Sequence, residues 1–275
     1  MPERKICTLV GSDKGGVGKS MVALVMSLVF DNAGHPLRVI EIDNQKKLTS
    51  VLGKDRVDLS IAAAPDLGEI SRSRHAAESF FNDVYMEWTK GDSVTDLGAN
   101  VTTSLMAWFR HCEIGELAAE DEIDFRFVAC ASPDEQALHS AVAAFRTAKD
   151  TLGASAEYFV VLNDIGGSLG FAPYSGNPAF VELKQLESKG ELSLLEVPYC
   201  GSILLEQGKA MHMHPLQVIR QAGRVAEAAG LDPVSSRVHR KKLESWLRET
   251  HRSLAPLMTV NAPARAASAQ PGFRG

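Results

Sequence analysis

The chain has 275 residues, of which 45% are hydrophobic and 23% charged, with a formal net charge of −5. That length supports one α/β domain with a substantial core, and the acidic balance excludes a molecule that seeks polyanions over its whole surface; any nucleic-acid contact must come from a local patch. Four cysteines, Cys7, Cys112, Cys130 and Cys200, stand too far apart in sequence to form a zinc set or a disulfide framework, which suits a reducing cytoplasm.

Ile6 to Val10 reads as a buried strand. A glycine-rich turn follows, then a helix from Lys19 to about Ala33, stopped at Asn32-Ala33-Gly34. The apolar stretch within it, Met21 to Phe30, is too short to span a bilayer, and Lys14 and Lys19 interrupt any secretory apolar region. Leu37 to Asp43 is a second strand, and Gly53 to about Leu67 has no clear pattern. Ala76, Ala77, Phe80, Phe81, Val84, Tyr85 and Trp88 then share one helical face, which predicts core.

Asp92 to Asp96 is a short, polar strand leading into Leu97-Gly98-Ala99-Asn100, and Phe125 to Ala129 is another strand. Ser132-Pro133-Asp134-Glu135 starts a helix that runs to about Lys149. Tyr158 to Leu162 is a strand ending in Asn163-Asp164, and Gly166 to Pro178 is a loop. A helix over Ala179 to Ser188 leads to a strand, Leu192 to Val197. Two further helices are expected over 215–258. The whole predicts a doubly wound, mainly parallel α/β sheet with helices on both faces, one domain over residues 1–260, and a disordered Ala/Pro/Ser/Gly-rich tail over 261–275.

The chemistry concentrates in Lys14-Gly15-Gly16-Val17-Gly18-Lys19-Ser20. Between a strand and a helix, such a segment is a phosphate-binding loop. Its glycines let main-chain N–H groups turn inward on an anion, and the helix that opens at Lys19, Ser20 and Met21 aims its positive end at the same place. Lys19 can reach the β- and γ-phosphates of a nucleotide, and the Ser20 hydroxyl can hold Mg²⁺. In a parallel sheet ligands bind at the carboxyl ends of strands, where Asp43, Asp96 and Asn163 all fall.

The doubled lysine, with Asp13 where the usual loop has glycine, resembles the deviant phosphate-loop ATPases of the ParA/MinD class. That resemblance implies that Lys14 crosses to the phosphates of a partner subunit, in a homodimer closed around two ATP molecules. Glu41-Ile42-Asp43-Asn44-Gln45 is similar to the family's Asp-x-Asp-x-Gln segment, so Asp43 is expected to support hydrolysis and to help hold Mg²⁺; Glu41 replaces the first Asp. Asp96 with Gly98 resembles the segment in which the Asp binds Mg²⁺ through water and the glycine N–H senses the γ-phosphate. Asn163 matches the family's adenine-contacting asparagine, and no guanine-reading Asn/Thr-Lys-x-Asp motif occurs, which favours ATP. Asp96-Leu97-Gly98-Ala99 and the segment from Val161 to Gly167 look closest to plasmid conjugal-transfer proteins of the TraL/StbC-like group. The implied setting is DNA transfer or partition.

Outside the loop, Arg237 to Ala255 carries six Lys/Arg against two Glu, and its leucines with Trp246 fit one helical face. A docked helix with a solvated basic face is the preferred reading, ahead of DNA-backbone binding and membrane docking. His212 and His214 lack a third ligand in sequence and read as exposed loop residues. The function that follows is a slow nucleotide-switch ATPase with a DNA, conjugation or partition partner. The alternatives are an ATP-dependent metal-insertion factor, disfavoured by the scattered cysteines with no stable metal cluster expected, and a nucleotide-binding regulator that hardly hydrolyses ATP.

Overall fold

The computed structural model describes residues 4–61, 74–167 and 169–258, with residues 74–78 described by their backbone alone. Seven strands form one parallel sheet: β1 (Lys5–Gly11), β2 (Arg38–Ile42), β3 (Leu59–Ile61), β4 (Ser93–Leu97), β5 (Ile123–Ala131), β6 (Glu157–Asn163) and β7 (Ser193–Val197). Their order is β3-β2-β4-β1-β5-β6-β7. Alternation along each strand divides the core between the two faces. In β1, Cys7 and Leu9 point to one face and Val10 to the other; in β5, Phe125, Phe127 and Ala129 oppose Val128 and Cys130.

One face is covered by α3 (Arg74–Trp88), α4 (Val101–His111), α5 (Ile114–Glu120), α6 (Glu135–Leu152) and α7 (Pro178–Ser188). The expected stripe on α3 is core where it is described. Phe81, Val84 and Trp88 are fully buried, and Trp88 packs on Trp108, Phe109 and Phe125. The other face is covered by α1 (Lys19–Asn32) and by α8 (Ile203–Ala210), α9 (Pro215–Arg220), α10 (Ala222–Ala228) and α11 (Pro233–Ser253). Sheet and layers are thus doubly wound, as expected.

Local chemistry sets the boundaries. Gly34, at φ +78, follows the end of α1, and the Asp134 carboxylate caps α6 by accepting from the Ala137 N–H at 2.9 Å. Three expectations need correction. Residues 215–258 hold three helices and a 3₁₀ turn (Ala255–Met258), not two helices, because the backbone leaves helical geometry at Gln221 (φ −110, ψ 28) and splits α9 from α10; His214 with Pro215, and Asp232 with Pro233, cap the starts of α9 and α11. The region from Gly53 to about Leu67, read as having no clear pattern, contains β3, and the unassigned stretch before it contains α2 (Lys47–Leu52). The loop from Gly166 to Pro178 contains a 3₁₀ turn, Ala172–Tyr174. The tail expected over 261–275 lies outside the described residues.

The short polar strand β4 is central, paired with β2 on one edge and β1 on the other. All five of its residues are buried. Thr95 is sustained by a hydrogen bond from the Trp88 indole N–H at 3.0 Å. Two-sided pairing outweighs its poor strand composition.

Candidate nucleotide site

The phosphate loop bridges β1 and α1. Val17 is 1% exposed and anchors the loop in the core, while Gly16 and Gly18 hold φ of +79 and +96, which a side chain would resist. A Cβ at Gly18 would lie 1.8 Å from Asn163 Nδ2, so glycine is required there on two counts. The Lys19 ammonium folds back over the loop and donates to the carbonyls of Ser12 and Lys14, both at 2.8 Å. Burial pushes its pKa below the ordinary lysine value. These are bonds a phosphate can replace.

Asp96, at the end of β4, is 1% exposed and neither carboxylate oxygen has a hydrogen-bond partner. Burial pushes its pKa up to about 7, against the pull of the Ser20 hydroxyl and the Lys19 ammonium. A buried carboxylate without donors is costly unless something positive meets it. Together with the Ser20 hydroxyl it offers hard oxygen donors, the set that suits Mg²⁺.

Asp43 and Gln45 line the same space, and Asp43 Oδ1 accepts from the Gln45 N–H at 3.1 Å, fixing the turn that leaves β2. Glu41 faces elsewhere. Fully buried, it accepts from the N–H groups of Leu48 (2.6 Å) and Thr49 (3.1 Å) and from the Thr49 hydroxyl (2.6 Å), so its longer side chain caps α2. The Gly98 N–H donates to the Ile42 carbonyl at 2.8 Å, extending the β2–β4 ladder; reading a phosphate through it requires that bond to open. A Cβ at Gly98 would sit 2.7 Å from the same carbonyl.

Lys14 lies along its own chain. Its Nζ donates to Gln136 Oε1 at 2.8 Å and stands 3.9 Å from Asp134 Oδ1, both at the start of α6, while its N–H donates to the Ser140 hydroxyl at 3.2 Å. Asp13 does not line the cavity at the phosphate loop; its Oδ2 accepts a hydrogen bond from the Thr103 hydroxyl on α4, while its Oδ1 is buried without a hydrogen-bond partner.

A cavity of about 990 Å³ gathers these groups above the carboxyl ends of the strands. Gly15, Gly16, Gly18, Lys19, Ser20, Met21, Asp43, Asp96, Gly98 and Asn163 all line it; Lys14 and Val17 do not. One wall was not anticipated from sequence: the segment Pro198 to Ile203 after β7, with Lys209, His212 and Trp246. The ligand-binding rule for strand ends, applied to β7 and its Pro198 stop, would have pointed there. Trp246 is set by its indole N–H, which donates to the Pro198 carbonyl at 2.8 Å. His212 is exposed, with φ +54, whereas His214 is partly buried and caps α9 through Nδ1, so the two histidines do not act as a pair.

The family model described as the CobQ/CobB/MinD/ParA nucleotide binding domain matches residues 8–230. The chain belongs to that family. A comparison with curated proteins finds no match. Among solved structures, the chain is similar to the septum site-determining protein MinD complexed with Mg-ADP from Pyrococcus horikoshii OT3 (14% identity, 93% of this chain and 98% of that one, TM-score 0.45). It is also similar to a plasmid partition protein from Borrelia burgdorferi B31 bound to AMPPNP (16%, 70% and 87%, 0.41) and to cobyrinic acid a,c-diamide synthase from Mycobacterium smegmatis (10%, 71% and 87%, 0.41). At these scores the structural likenesses add no argument; membership rests on the sequence match. This CobQ/CobB/MinD/ParA domain is therefore a nucleotide-binding one.

Proposed function

We propose that the chain binds ATP with Mg²⁺ and hydrolyses it slowly, as a switch whose ATP state is a homodimer joined through Lys14. The buried Asp96 carboxylate beside the phosphate loop, without a hydrogen-bond donor, carries this reading, because a loop serving only as a turn gives no reason to keep such an acid at its floor. The loop amides and Lys19 bind and orient the phosphates. Ser20, with Asp43 and Asp96 partly through water, would hold Mg²⁺, which when bound draws charge from the phosphate oxygens. Asp43 and Gln45 orient the attacking water, and Lys14 of a second copy adds positive charge where the transition state gathers negative charge.

Plasmid conjugal transfer, DNA partition or positioning is the setting that the loop and the segments around Asp96 and Asn163 support. Exposed Arg237, Lys241, Lys242 and Arg248 on α11 are a surface for a DNA backbone, while Leu243, Trp246 and Thr250 dock the helix on the core. Among the described residues no helix is long and apolar enough to cross a membrane.

Calorimetry with Mg²⁺-ATP tests the site: Lys19→Ala should lose ATP binding, and equal affinity in the variant and the parent would reject it. Sedimentation with ATP, ADP or neither, each with and without duplex DNA, tests the switch. A second reading, a regulator that hardly turns over, is favoured by the capping role of Glu41 and the engaged Gly98 N–H. Single-turnover hydrolysis separates the two.

A further inference from the structure

The last residue of β6 reaches under the phosphate loop. Asn163 is 5% exposed, and its Nδ2 donates to the Val17 carbonyl at 3.1 Å while filling the space left by the missing side chain of Gly18. Its base is firm: β6 is paired along one edge with β5 and along the other with β7, where Asn163 itself faces Val197. Within a planar trans peptide the C=O and the following N–H point in opposite directions. Holding the Val17 carbonyl down on Asn163 therefore turns the Gly18 N–H to the other side of the peptide, away from the amide.

We infer that Asn163 is a positioning residue for the phosphate-binding loop, acting on the triphosphate end of the ligand through the Val17–Gly18 peptide. The inference rests on the ATP site proposed above and assigns Asn163 a duty distinct from reading adenine. Gly18 at φ +96 is one of several conformations open to glycine, so an unclamped loop samples others. If the anion-ready bend falls to about a tenth of the population, apparent affinity falls about tenfold for every ligand that shares the phosphates. A contact with the base would instead discriminate between bases.

Titration of the full chain with Mg²⁺ and ATP, GTP or inorganic tripolyphosphate, the weaker ligands read by competition, separates the two roles. Asn163→Ala removes the donor; Asn163→Asp keeps the side chain's size and replaces the donor by an acceptor facing a carbonyl. Both variants should weaken all three ligands by the same factor, about tenfold. Loss confined to ATP, with GTP and tripolyphosphate unchanged, would overturn the clamp and restore adenine contact, and unchanged affinity for all three would overturn both. A parent chain that binds none of the three refutes the ATP site itself, an outcome distinct from failure of the clamp. Melting without ligand checks folding, and Asn163→Asp keeps the test open should Asn163→Ala unfold.

Discussion

Removing Gln136 should make the proposed ATP-bound dimer tighter. In the isolated chain the Lys14 ammonium is held by Gln136 Oε1 at 2.8 Å, on the exposed first turn of α6. A lysine engaged there must let go before it can reach a partner's nucleotide. Lys14 is 37% exposed along its side chain, so water screens the contact and its worth is that of a surface pair, about 0.5–1 kcal/mol. Closing a symmetric dimer releases two such contacts, about 1–2 kcal/mol in all, which corresponds to about a five- to thirty-fold change in the dimer dissociation constant. Gln136→Ala removes the acceptor at a helical position where alanine is well tolerated. Asp134 should be left in place, because it caps α6. Sedimentation velocity across a concentration series with Mg²⁺-ATP reads the constant, and Lys14→Ala supplies the opposite arm, a weakened dimer. An unchanged constant in Gln136→Ala, with Lys14→Ala weakened, would show that the contact within the chain does not compete. An unchanged constant in both would remove Lys14 from the interface.

Asp96→Asn should abolish the Mg²⁺ dependence of ATP affinity while raising the melting temperature of the ligand-free protein at pH 8. The folded-state pKa of Asp96 is raised to about 7, so its charged form opposes folding above that value and the penalty fades as pH falls toward the ordinary Asp range. A melting difference that does not shrink between pH 8 and pH 5 contradicts this. Glu41→Ala should cost about 2–4 kcal/mol in urea unfolding, because one buried and one part-buried N–H group at the start of α2 lose their acceptor; a loss under 0.5 kcal/mol would mean that α2 caps itself. Gly18→Ala should remove measurable nucleotide binding while leaving far-ultraviolet circular dichroism unchanged, since the added methyl collides with Asn163 and resists φ +96. Retained binding would show that the loop has another anion-ready shape.

The layers of the fold were legible because buried parallel strands announce themselves as apolar runs such as Ile6 to Val10 and Tyr158 to Leu162. β4 was legible only as a weak strand, since Ser93, Thr95 and Asp96 say nothing of the two neighbours that bury them. α4 and α5 went unassigned between the strands that flank them. The phosphate loop announced itself in the sequence, because backbone geometry at Gly16 and Gly18 calls for glycine. What Lys14, Asp13, Glu41 and Asn163 touch was not readable, because each finds its partner on another element: Gln136 on α6, Thr103 on α4, Thr49 on α2 and the Val17 carbonyl in the loop itself. The wall after β7 also escaped, since its Pro-Tyr-Cys-Gly-Ser chemistry is bland until the sheet carries it beside the loop.

The bond between Asp13 and the Thr103 hydroxyl ties the residue next to Lys14 to the first turn of the helix that follows Gly98. Two segments that a nucleotide would address separately, one at its own phosphates and one reaching toward a neighbour, thus share a single fastening. A shift in the turn after β4 pulls on the root of the crossing lysine, and a lysine drawn across pulls back on that turn. In the dimer proposed above, news of a lost phosphate would travel this way to the subunit boundary without passing through the sheet.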